Sequence, residues 1–127
     1  MLTFNLKKEW FEKIKSGEKT HEYREVKDFW TDRFVKEFFK VDKKKRPRDF
    51  EIYKQGMIIC LQNKKGYYNN PVICFMNGML SETVKPRIYA KMKSICIING
   101  YFTDLKINKP VFDIEFEVIK EKEWNLK

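Results

Sequence analysis

The chain has 127 residues, 43% of them hydrophobic and 16% aromatic, which suits one compact aromatic-rich core and excludes a wholly disordered chain. The formal net charge is +9, and no apolar run approaches the ~18 residues of a membrane span. Three cysteines (Cys60, Cys74, Cys96) and a single histidine, His21, show neither a C-x-x-C pair nor zinc-ligand spacing, which excludes a disulfide framework and a zinc module.

The start, Met1 to Asn5, reads as neither signal nor transit peptide, so a soluble, cytoplasmic protein with reduced, buried thiols is expected. A basic surface favours a phosphate-bearing partner, because Lys and Arg displace condensed counterions. Lysine outnumbers arginine by 22 to 5, however, and a coding bias towards A and T would give the same excess. Charge alone leaves both explanations open.

In chain order, Leu2 to Leu6 alternates apolar and polar residues and predicts a strand. Lys8 to Ser16 predicts a short helix, with Trp10, Phe11 and Ile14 on one face and Gly17 placed as a left-handed cap. Lys19 to Arg24 predicts a strand with Thr20, Glu22 and Arg24 on one face and His21 and Tyr23 on the other. Asp28 or Thr31 is placed to start a second helix that runs to about Phe39, its Trp30, Phe34 and Phe38 at four-residue spacing. Trp10, Phe34 and Phe38 are core residues by this spacing.

The basic stretch Lys43-Lys44-Lys45-Arg46-Pro47-Arg48 predicts a loop. Met57 to Leu61, a continuous apolar run, predicts a buried strand, and Gln62 to Asn70 a polar loop carrying Tyr67 and Tyr68. Val72 to Met76 predicts a strand ending at the Asn77-Gly78 turn. Leu80 to Met92 has no clear pattern, although Pro86 argues against a long helix. Ile95 to Ile98 and the alternating Phe112, Ile114, Phe116 and Val118 after Pro110 complete about six strands and two helices. This mixture predicts an α+β domain or small barrel rather than a parallel βαβ sheet.

The segment Phe11-Glu12-Lys13-Ile14-Lys15-Ser16-Gly17-Glu18-Lys19-Thr20-His21-Glu22-Tyr23-Arg24 is the informative one. An amphipathic helix stops at a glycine, a Lys-Thr pair follows, and then a Glu-x-Arg strand. It resembles the signature of the ASCH family, and the strands at Leu2 to Leu6 and Val111 to Ile119 resemble that family's first and last. The stretches Phe39 to Phe50 and Leu80 to Met92 look like family-variable insertions. The resemblance implies one ASCH domain over residues 1–127, built as a small PUA-like β-barrel with two flanking helices. It also implies a ligand cleft between the first helix and the Glu-x-Arg strand, with RNA, single-stranded nucleic acid or a modified nucleoside as partner. No metal, cofactor or membrane is implied.

Unpaired charges inside a barrel cost about 3–5 kcal/mol, so Thr20, Glu22 and Arg24 must either line a wet cleft or close into an ion-pair network. In a cleft, Lys19 and Arg24 are suited to a phosphate and Glu22 to a base N–H. Trp30 or Tyr67 would stack on the ring. In a network, Glu22 simply pairs with Arg24 or Lys19 and pins the strand. His21, on the opposite face with Tyr23, reads as a semi-buried packing residue rather than a general base. Lys43, Lys44, Lys45, Arg46 and Arg48 either touch a nucleic-acid backbone or form a solvated loop.

Some small ASCH proteins are amidohydrolases that deacetylate acetylcytidine, using a lysine, a threonine three residues later and a distant glutamate, for which no residue of this sequence is matched. Lys19 matches that lysine, but position 22 is a glutamate, so the resemblance favours a binding module over an enzyme and assigns no catalytic residue. A protein-interaction module with a degenerate cleft is the third reading, and it would show an exposed apolar patch instead.

Overall fold

A computed structural model describes residues 1–78 and 86–120. It is an α+β fold with the order β1 (Leu2–Leu6), α1 (Lys8–Lys15), β2 (His21–Glu25), α2 (Asp28–Phe39), α3 (Pro47–Asn63), β3 (Val72–Asn77), β4 (Arg87–Asn99), a 3-10 turn (Gly100–Phe102) and β5 (Pro110–Val118). The five strands make one sheet in the order β1-β3-β4-β5-β2. β1 and β3 are parallel; every other neighbouring pair is antiparallel.

β1 and β2 are the two edges of this sheet, yet the Arg24 side chain on β2 donates to the Asn5 peptide oxygen on β1 at 3.2 Å. The sheet is therefore curled until its edges approach, a half-barrel with an open seam. Curling starts in β4, where a register shift between Met92 and Ser94 marks a bulge that lets the 13-residue strand bend. The inner face carries Phe4, Phe75, Ile88, Ile95, Phe112 and Ile114, each nearly fully buried. Phe4 packs on Phe75 and Phe75 on Phe116, while Phe34 of α2 meets Phe112 edge-on at 4.7 Å.

Several expectations need correction. Among the described residues there are five strands rather than six, and three helices rather than two. Met57 to Leu61 is the last part of α3, not a strand. Extended back to Phe50, its buried residues Phe50, Met57 and Leu61 fall on one helical face. Within the supposed loop Lys43 to Arg48, Pro47 and Arg48 belong to the first turn of α3, because proline suits the first helical position and its missing N–H costs nothing there. Lys19 and Thr20 lie just before β2, which starts at His21. Cys60 is exposed on α3 rather than buried; Cys74 is buried and Cys96 half-buried. Of the Leu80 to Met92 stretch, Arg87 onward is β4, and its residues before Pro86 lie outside the described residues.

α2 and α3 are tied by charge as well as by packing. Lys54, its side chain 12% exposed, reaches Asp28 Oδ1 at 2.9 Å and Asp32 Oδ1 at 3.0 Å, and Lys43 holds Asp32 Oδ2 at 2.9 Å. Burial acts to raise the Asp32 pKa, but the Lys43 and Lys54 contacts outweigh it and hold the carboxyl below its ordinary value. Such a group contributes stability that is complete above its unfolded pKa and is lost as pH falls through the folded one. Asp32→Asn should lower stability near neutral pH by about 1 kcal/mol and flatten the loss of stability between about pH 5 and pH 3. Urea unfolding across that range checks it; an unchanged acid slope contradicts the assignment.

Candidate functional site

The site begins with the stop of α1. Gly17 adopts φ +87°, a conformation that costs any residue with a Cβ. Its N–H reaches the Ile14 carbonyl at 3.1 Å, and the Lys19 N–H reaches the Lys13 carbonyl at 3.0 Å. The chain thus wraps the last helical turn and delivers Lys19 beside β2. Lys19 Nζ sits 5.1 Å from the ring centres of both Trp10 and Tyr23. It pairs with Asp104 Oδ2 at 2.6 Å and lies 3.6 Å from Glu22 Oε1.

Register fixes where the β2 side chains point. Glu22 is opposite Ile114 and Arg24 opposite Phe112, both inner-face residues, so the charged pair lies on the inner side of the sheet at its seam. Glu22 is only 5% exposed. Its Oε2 accepts from Arg24 Nε at 3.1 Å and Nη2 at 2.7 Å, which leaves Oε1 with Lys19 alone. The guanidinium lies 4.9 Å over Trp30 and 5.3 Å from the Phe4 ring, and Trp30 stacks on Phe4 at 4.8 Å. Lys19, Glu22, Arg24 and Asp104 form one network.

That network is also the wall of two hollows meeting at Arg24 and Asn5. One, about 470 Å³, lies between α1, β2 and the 104–107 segment, and Trp10, Lys19, Glu22, Tyr23 and Asp104 line it. The other, about 590 Å³, lies between β1 and α2, and Trp30, Phe29, Arg33 and Lys36 line it. Of the three residues for which the strand pattern posed a cleft or a network, Glu22 and Arg24 close on one another and also border a concave space, while Thr20 joins neither. Burial, with the Asp113 and Asp104 charges beside it, raises the pKa of Tyr23, whose side chain lines the first hollow.

Thr20 is exposed and opens on a shallower hollow of about 280 Å³, shared with His21. His21 Nδ1 lies 2.6 Å from Asp113 Oδ1, and Nε2 3.7 Å from Glu115 Oε2; it is a half-exposed cross-strand clamp. Tyr67 is 56% exposed on the α3–β3 connection beside the Gly66–Ile95 bridge, away from both seam hollows, which removes it as a stacking residue there. In the basic stretch Lys43 is taken by Asp32 and Arg46 by Asp49 at 2.7 Å, while Lys44, Lys45 and Arg48 are exposed.

No protein-family model, curated protein or solved structure matches the chain. The chemistry of the site therefore rests on its own residues. Among the described residues no group of three or more His, Cys, Asp and Glu side chains is placed to hold a metal ion. Trp10, assigned to the core by its spacing, is half-buried and carries Lys13 and Lys19 over its ring at 4.7 and 5.1 Å. Asp104 joins Lys19 from 85 residues away, a contact no local pattern announces. The arrangement offers a planar polar guest one carboxylate oxygen, a guanidinium edge and a phenol, beside indoles whose rings already carry Lys13, Lys19, Arg24 and Phe4.

Two variants test this construction. At Gly17 an added Cβ would meet nothing within 4 Å, so Gly17→Ala should cost only its backbone strain, about 1 kcal/mol by chemical denaturation. Glu22→Gln should lower stability by about 2 kcal/mol, and combining it with Arg24→Met should recover at least about 1 kcal/mol of that loss. Strictly additive effects would show that the two side chains do not depend on each other.

Proposed function

We propose that the chain is an ASCH-type binding module whose seam recess takes a base of single-stranded nucleic acid or a modified nucleoside. The observation that carries this is the Lys19–Glu22–Arg24 network bordering a concave space flanked by Trp10, Tyr23 and Trp30. Aromatic faces beside a cationic groove are the means by which single strands are held, since stacking suits any base and phosphates meet Lys and Arg. Glu22 Oε1 accepts from an exocyclic or imino N–H, and Arg24 donates to a carbonyl. The resemblance of the Gly17 to Arg24 segment to the ASCH signature supports the same placement.

Lys19 in this reading is a charge that changes partners. Asp104 occupies it in the unliganded protein, and a ligand phosphate takes the carboxylate's place. Deacylation is disfavoured, because the side chain three residues after Lys19 is the carboxylate of Glu22 and Thr20 opens on the shallower hollow.

Fluorescence anisotropy with labelled eight-nucleotide RNAs tests the reading. The wild-type chain should bind with an affinity that falls as salt rises, and Glu22→Gln and Lys19→Met should weaken binding at least about tenfold while still unfolding cooperatively. Asp104→Asn should bind more tightly. Unchanged affinity in the Glu22 and Lys19 variants would remove the recess from the account.

A further inference from the structure

The hollow between β1 and α2 is not needed to hold one base, and its walls differ in character from the Lys19 hollow. Arg33 and Lys36 stand one turn apart on the exposed side of α2, and neither has a carboxylate within ion-pair distance among the described residues. Arg33 instead packs on the ring of Phe29 at 3.5 Å and donates to the Phe29 carbonyl. Phe29 is 56% exposed, and its ring meets Trp30 edge-on at 5.2 Å. Elsewhere in the fold the basic side chains near α2 are taken: Lys40 by Glu37, Lys43 by Asp32 and Lys54 by Asp28 and Asp32.

The hollow also adjoins its neighbours, with which it shares wall residues. Arg24 and Asn5 belong to it and to the Lys19 hollow, while Arg33 and Lys36 belong to it and to a further hollow of about 530 Å³ that ends at Lys43 and Lys44. These adjoining hollows form a row, the trough, from Lys19 past Arg24 and along α2 to the turn before α3. Cations and carboxylates both line it, the carboxylates being Glu22, Glu25, Asp104, Glu37, Asp32 and Asp42, and the rings of Trp10, Trp30 and Phe29 form part of its wall.

Resting on the function proposed above, we infer that the ligand is a strand rather than a lone nucleoside: a single-stranded nucleic acid lies along this trough, with phosphates on Arg33, Lys36 and Lys44 and a base against Phe29. The chemistry supports an unpaired strand. An exposed ring can stack only on a base whose face is open, and a duplex buries those faces. Unpaired guanidinium and ammonium groups one helical turn apart suit successive phosphodiesters.

Anisotropy with octauridylate, diuridylate and an eight-base-pair RNA duplex tests this on the full chain. For Arg33→Ala with Lys36→Ala, both exposed side chains, the melting curve should match wild type. Octauridylate affinity should fall at least about tenfold, and the slope of log affinity against log salt should shrink by about 1.4, the value for two lost contacts on a single strand. Diuridylate, held at the Lys19 hollow, should bind this variant and wild type equally. Unchanged octauridylate affinity in the variant, or duplex binding as tight as the single strand, overturns the strand path while leaving the recess reading intact. Failure of wild type to bind either oligonucleotide removes the recess reading and this inference with it.

Discussion

Arg24 stands where the two free edges of a curled sheet come within reach of each other, and its neighbours explain why the edges do not join. Register puts Glu22 and Arg24 on the inner side of the sheet, in line with Ile114 and Phe112. Continuing the aliphatic and aromatic interior past them would strip a carboxylate and a guanidinium of water, which only near-complete pairing offsets. The fold meets this by pairing Glu22 to Arg24, bringing Lys19 to its other oxygen, and capping the guanidinium with Trp30 and the Asn5 carbonyl. A polar seam replaces the last hydrogen-bonded strand pair of a barrel. The hollows on either side of Arg24 follow from that substitution.

The rest of the architecture serves the seam. The β4 bulge supplies the curl, α2 places Phe34 against the inner face and Trp30 against Phe4, and the helix stop at Gly17 sets Lys19 in register with Glu22. Charges are nearly balanced inside the network, with Lys19 and Arg24 facing Glu22 and Asp104. An anion enters such a site by exchange rather than by simple addition. Along α2 the balance is different, since Arg33 is held by a ring and a peptide oxygen only. In the proposed reading, one stretch of the trough discriminates and the other attracts.

Local pattern carried much of this structure. Period two located β1 and the alternation of β5, and the apolar face followed by glycine located α1 and its end. The shared face of Glu22 and Arg24 was legible too, whereas Thr20, read onto the same face, lies before β2 and opens on another hollow. Met57 to Leu61 was not, because its continuous apolar run reads as a strand when viewed alone, and the helical face appears only across the twelve residues from Phe50 to Leu61. Asp104 and the Lys43–Asp32 pair depend on chain reversal and leave no local trace. Trp10 shows the limit of spacing arguments: its helix position says which side it faces, and the structure shows that side ending at Lys19, at the rim of the core.

The central claim is that the seam at Arg24 is a ligand site held open by charge, and nitrogen–proton NMR reads it most directly. During titration with octauridylate, the Arg24 Nε–H resonance and the indole N–H resonances of Trp10 and Trp30 should move together and saturate at one dissociation constant. Resonances of Tyr67, outside the trough, should stay in place. If the Arg24 and indole signals remain fixed while Tyr67 or the outer face of β5 responds, the ligand binds elsewhere and the seam is a structural feature alone.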